Sequence, residues 1–139
     1  MRSCSFFTYV VLINVVLFAG CASYNLQVSE VPGTYKMIYD PPGPAIGCDT
    51  LTMKVDGTYR RVFAVSGERN NYSIGKWSFD NTADTGINFK PFVENIGPKG
   101  EVEKSPRLMN VARFGIRRND GTMEIVVNDD LDVVYRKIP

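Results

Sequence analysis

From Pro32 onward, apolar residues recur at every second position and short clusters of turn residues interrupt them, which is the pattern of β-strands and not of helices. The clearest case is Thr50 to Val55, where Leu51, Met53 and Val55 fall on one parity and Thr52 and Lys54 on the other. Asp56-Gly57 follows at once, the strongest short-range hairpin signal in the chain. No apolar stripe of helical period runs for three turns anywhere after Cys21. These features predict an all-β domain over residues 33–139.

Eight strands are expected: residues 33–39, 50–55, 58–65, 72–79, 87–93, 108–118, 122–128 and 131–138. Pro41-Pro42-Gly43-Pro44 ends the first, because a proline cannot donate to a central ladder. Asn119-Asp120-Gly121 and Asp129-Asp130 are the last two turns. The sixth strand carries Leu108, Ala112, Phe114 and Ile116 on one parity. Asn95 to Pro106 (NIGPKGEVEKSP) is the longest unpatterned polar stretch and reads as a mobile loop. Short connections favour antiparallel neighbours. Eight antiparallel strands suggest a closed up-and-down barrel, which leaves no exposed edge, with a two-sheet β-sandwich as the alternative.

The first thirty residues carry a different message. Arg2 is the only charge before Glu30, and Phe6 to Ala19 is nearly all apolar, so the segment has the charged start and hydrophobic middle of a signal-peptide helix. Fourteen helical residues span about 21 Å, short of a hydrocarbon core of roughly 30 Å. The run ends Leu17-Phe18-Ala19-Gly20-Cys21. Ala19-Gly20-Cys21 resembles the lipobox of bacterial lipoproteins, with Phe18 where that pattern usually has leucine. The resemblance implies cleavage before Cys21, a diacylglyceryl group on its thiol and commonly a third chain on its amine. Two or more chains anchor a protein stably. It further implies a cell-envelope location, and Ala22, where an aspartate would favour inner-membrane retention, implies the periplasmic face of the outer membrane. A plain signal anchor is the alternative, since residues 3–29 hold no charge. On this reading residues 1–20 are the lipoprotein signal peptide, residues 21–32 the lipidated cysteine with its tether, and residues 33–139 the barrel. Leu26 and Val28 alternate, so a first strand is the competing reading of the tether.

Composition narrows the function. Without residues 1–20 the chain has 119 residues, enough for one domain, and balances 15 Lys+Arg against 15 Asp+Glu. A neutral domain has no electrostatic case for nucleic acid. Histidine is absent, which removes Ser-His and Cys-His catalysis and the common zinc sites. Cys4 leaves with the signal and Cys21 carries lipid, so Cys48 stands alone, without a disulfide partner. Asp129, Asp130 and Asp132 lack the glycine and distal glutamate of a calcium loop and read as an acidic turn. Neither an enzyme nor a cofactor or metal is expected.

The strand rhythm Gly33-Thr34-Tyr35, Leu51 to Tyr59, Gly75-Lys76-Trp77 and Val133 to Ile138 resembles the lipocalin-like small barrels of bacterial lipoproteins. The resemblance implies an interior that is either packed or able to hold one small ligand. Tyr35, Met53, Tyr59, Phe63, Trp77 and Phe114 are inward candidates for such a pocket, or for a filled core. Arg60 and Arg61 are consecutive strand residues and must face opposite ways. A two-residue loop at Asp56-Gly57 pairs Met53 with Arg60. A three-residue loop with a glycine bulge pairs Met53 with Tyr59 and turns Arg61 inward. In a third case the strand frays at a mouth and both arginines reach water, as Arg117 and Arg118 are expected to do. An inward guanidinium needs an acidic ligand or a protein carboxylate, because an unpaired buried charge is costly. The expected function is a lipid-anchored barrel that binds a small apolar or amphipathic ligand. The alternative is an envelope protein-interaction module, an assembly accessory or inhibitor, with a filled barrel.

Overall fold

The structure, a computed structural model, describes residues 26–39, 49–63, 71–81, 85–96 and 102–139. The expected signal-peptide helix, Cys21 and Cys48 lie outside these. Among the described residues ten strands form: β1 (Gly33–Tyr39), β2 (Thr50–Met53), β3 (Thr58–Phe63), β4 (Asn71–Asp80), β5 (Gly86–Lys90), β6 (Phe92–Ile96), β7 (Val102–Met109), β8 (Ala112–Asn119), β9 (Thr122–Asn128) and β10 (Val133–Lys137). Eight of them close an antiparallel barrel in the order β1-β10-β9-β8-β5-β4-β3-β2. The barrel, not the sandwich, is the fold. β6 and β7 form a separate two-stranded sheet.

That hairpin corrects the expected strand list. The fifth and sixth strands each break in two, and Asn95 to Pro106 is not simply a loop: its described ends belong to β6 and β7. Pro91 has no N–H to continue the ladder, so pairing of β4 with β5 stops at Lys76 opposite Lys90. The chain then turns off the barrel wall and pairs Phe92 with Met109 instead. Leu108, expected on the same strand and parity as Ala112, Phe114 and Ile116, consequently lies on the hairpin and is exposed.

Gly75 makes room for this departure. A Cβ built there would lie 2.6 Å from the Lys90 carbonyl oxygen and 2.8 Å from Tyr59 Cε1. The backbone contact cannot be relieved by a rotamer change. We expect Gly75→Ala to destabilise the domain by about 1–3 kcal/mol, the usual cost of overpacking. Thermal unfolding measures it. An unchanged melting temperature would show that β5 can shift without loss.

The β2–β3 turn decides which face of β3 is inside. Gly57 takes φ +80°, a conformation that glycine adopts without steric cost. Asp56 Oδ1 accepts from Thr58 N at 2.9 Å and from Thr58 Oγ1 at 2.6 Å. Trp77 Nε1 donates to Lys54 O at 2.9 Å and fastens the turn to β4. Met53 therefore pairs with Tyr59, the register of the glycine-bulge reading. Tyr59, Arg61 and Phe63 point in, and Arg60 points out. Val55, expected to share the inward parity of Leu51 and Met53, lies in the turn and is 88% exposed.

The last residues of the tether expected over residues 21–32 belong to the folded domain. Val28–Glu30 form a 3₁₀ turn. Val31 is fully buried in the core and Leu26 packs against it. Tyr35 Oη donates to Val31 O at 2.5 Å. This turn sits at the end where β1 begins, together with the β2–β3 and β8–β9 turns; the β6–β7 hairpin and the Asn128–Val133 connection lie toward the other end.

Candidate functional site

Among the described residues, the inner face of the barrel carries one buried arginine, Arg61, at 1% exposure. It does not reach water, which overturns the frayed-strand expectation for it. Its carboxylate is Asp49, also buried, on the residue just before β2. Arg61 Nε donates to Asp49 Oδ1 at 3.0 Å and Nη2 to Asp49 Oδ2 at 2.5 Å, a two-pronged pair. Nη1 donates to the Val93 carbonyl and Nη2 also to Asn95 Oδ1, both on β6. Tyr135 Oη, from β10, donates to Asp49 Oδ1 at 2.7 Å. Rings of Phe63, Phe92 and Tyr135 surround the guanidinium at 4.6, 4.9 and 5.8 Å.

The electrostatics follow from burial. Removal from water works against the Arg61 charge, but Tyr135 and Asp49 outweigh it and raise its pKa above the ordinary arginine range. Burial pushes the Tyr135 hydroxyl well above its usual value, so it stays protonated and donates to Asp49 at neutral pH. Asn95 Nδ2 is buried without a hydrogen-bond partner among the described residues.

The remaining inward candidates form the core around this network. Tyr35, Met53, Tyr59, Phe63 and Trp77 are buried, and Phe114 is half-buried. Phe92, on β6, meets Tyr59 and Phe114 with ring centroids at 6.5 and 5.0 Å. Phe89 lies 5.0 Å from Tyr59 and 5.9 Å from Phe114. Tyr59 Oη donates to the Pro91 carbonyl, where β5 turns off the wall. The β6–β7 hairpin thus places an aromatic ring and two hydrogen-bond acceptors over the inner face of β3. Arg60 takes no part.

Asp49, Phe92, Asn95 and Tyr135 were not among the expected site residues. Asp49 shares the parity of Leu51 and Met53, so a strict count along β2 would have turned it inward opposite β3. Phe92 and Asn95 gave no such signal, since nothing in the alternation marks where the hairpin leaves the wall.

Two further polar groups lie on the barrel away from Arg61. Arg117 and Arg136 converge on Glu124, which is fully buried beneath them, at 3.0 and 2.7 Å. Arg117 also meets Asp129 at 3.0 Å and Asp132 at 3.6 Å, so part of the acidic turn is an ion-pair partner. Burial alone would raise the Glu124 pKa, but hydrogen bonds from Arg136 and Arg117 prevail and lower it. With the folded value depressed, this stabilisation is present above the unfolded pKa of about 4.3 and is lost as pH falls through the folded value. Glu124→Gln is expected to flatten the acid side of the stability profile, and thermal melts from roughly pH 3 to 7 check it. An unaltered acid limb would assign that slope to other carboxylates.

Arg118, expected in water, instead occupies the inward parity of β8 at the other end of the barrel. Its Nη2 meets Glu30 Oε1 at 2.7 Å. Lys137 Nζ donates to the Glu30 carbonyl at 2.6 Å. Beside them an open cleft of about 510 Å³ is lined by Glu30, Arg118, Thr122, Met123, Lys137 and Ile138, among others. The chain matches no protein-family model, no curated protein and no solved structure.

Proposed function

We propose that this chain is a lipid-anchored protein of the cell envelope, held through Cys21 at the periplasmic face of the outer membrane, whose barrel is a filled scaffold for contacts with an envelope protein. One observation carries the scaffold reading. The inward cation, Arg61, is answered by Asp49, Asn95 and the Val93 carbonyl, beneath the Phe92 ring, so its charge needs no ligand. The outer wall supplies contact groups: Tyr72 and Ile74 on β4, Leu108 on β7 and nearby Val111 are exposed. Such side chains suit the apolar centre of a protein interface.

The anchor is supported by Ala19-Gly20-Cys21 behind an apolar run. Intact mass of the mature protein, beside Cys21→Ser, tests it: an acylated mass starting at residue 21, absent from the variant, is the expected result.

The second reading, a small apolar or amphipathic ligand, is favoured by the cleft beside Glu30, where Met123 and Ile138 adjoin Arg118 and Lys137. Native mass spectrometry of protein purified from membranes, together with titration of an apolar fluorescent probe, separates the two. The scaffold reading expects no co-purifying small molecule and no saturable binding. A one-to-one complex would replace it with the ligand reading.

A further inference from the structure

We propose that the barrel sits end-on at the bilayer, with the 3₁₀ turn, the β2–β3 turn and the C-terminal end of β10 against the lipid. This rests on lipidation of Cys21, and it adds a defined orientation and a lipid-contacting surface.

The first argument is chain length. Leu26 packs against the core, and Val31 is part of it. Only residues 22–25 separate Cys21 from Leu26. Five peptide units reach at most about 18 Å. β1, which runs from this end of the barrel toward the other, has seven residues and is about 20 Å long. A spacer of that reach holds the N-terminal end beside the anchor and keeps the hairpin end away from it.

The second argument is what this end exposes. Val28 on the 3₁₀ turn is 54% exposed, Val55 on the β2–β3 turn 88%, and Ile138 after β10 41%. The three belong to neighbouring elements: Gly33 pairs with Met53, and Ile138 N donates to Thr34 O at 2.9 Å. Aliphatic side chains on turn tips have no core to join. Each would lose water-exposed apolar area on entering the boundary between headgroups and acyl chains.

The third argument is charge. On the elements of the proposed seat, Lys54 and Asp56 of the β2–β3 turn, Arg118 and Asp120 at the β8–β9 turn, and Glu30 with Lys137 set three charges of each sign side by side. The surface therefore neither repels an anionic leaflet nor depends on one for attraction. The cleft beside Glu30 opens at the same end and would face the headgroups.

The test uses the full lipidated protein with Cys48→Ser, reconstituted in phosphatidylethanolamine–phosphatidylglycerol vesicles that carry a headgroup-proximal spin-labelled lipid. Val55→Cys and Ile138→Cys report on the proposed seat, and Asp130→Cys on the opposite end. Each is labelled with a fluorophore, and acylation is verified by mass. Quenching at positions 55 and 138 is expected to exceed that at 130 several-fold. A flexible insert of twenty residues between Asn25 and Leu26 is expected to reduce the contrast. Equal quenching at all three positions on an acylated protein would overturn the seating while leaving the anchor intact. An unacylated mass would remove the anchor and the seating together.

Discussion

Asp49→Ala is expected to lower folding stability by about 3–5 kcal/mol, because it leaves the Arg61 guanidinium buried without its carboxylate. For a domain of this size that is a large share of a total stability of roughly 5–15 kcal/mol. Arg61 cannot escape by rotating to solvent, since β6 lies across it through the Val93 carbonyl and Asn95. It also has little prospect of shedding its proton, given its raised pKa. Tyr135 loses the acceptor for its hydroxyl in the same step. Arg61→Met combined with Asp49→Leu removes both charges and should recover part of the loss, although Asn95 and Val93 then lack their donor. A coupling energy on the order of 2 kcal/mol is expected from the double-mutant cycle. Chemical denaturation of Asp49→Leu alone, Arg61→Met alone and the double variant, against the parent protein, measures it. A loss below about 1 kcal/mol for Asp49→Ala would mean that water solvates Arg61, and the filled-barrel reading would fall with it.

Phe92→Ala should have a comparable effect for an apolar reason. Its ring meets Phe89, Tyr59 and Phe114, and the Arg61 guanidinium lies 4.9 Å from its centroid. Truncation of a buried phenylalanine costs about 3–5 kcal/mol, part of it from the cavity left behind. The more informative readout is binding. If the β6–β7 hairpin fills the inner face through this ring, the variant gains affinity for a small apolar probe that the parent protein ignores. Stability loss without probe uptake would show that the neighbouring rings collapse into the space. Little change in either would remove the hairpin from the core.

Much of the fold is legible in the sequence. Leu51 and Met53 alternate, Asp56-Gly57 turns, and β1 runs over the expected residues 33–39. These are local properties. A period of two and a turn that tolerates positive φ are set by residues next to one another, so strands and hairpins could be read along the chain. Boundaries failed where a distant element intervened. Pro91 looked like one residue of a strand, yet it is where the chain leaves the wall to form β6. Leu26 to Val31 looked like a spacer, but buries Val31 because the barrel end offers a place for it.

The candidate site divides in the same way. Residue identities established that one of Arg60 and Arg61 would face inward in a regular strand, because neighbours in a strand alternate. They also exclude histidine chemistry, and Ala19-Gly20-Cys21 carries the expectation of an anchor. Which arginine turned in depended on a single residue of register at the β2–β3 turn. Its partners, Asp49, Val93, Asn95 and Tyr135, come from the start of β2, from β6 and from β10. Distances in sequence of 12 to 86 residues separate them from one another's hydrogen-bond partners. No local pattern encodes such a meeting. It arises only when the sheet closes, because closure brings the inner faces of β2, β3 and β10 around one space and the hairpin then covers it.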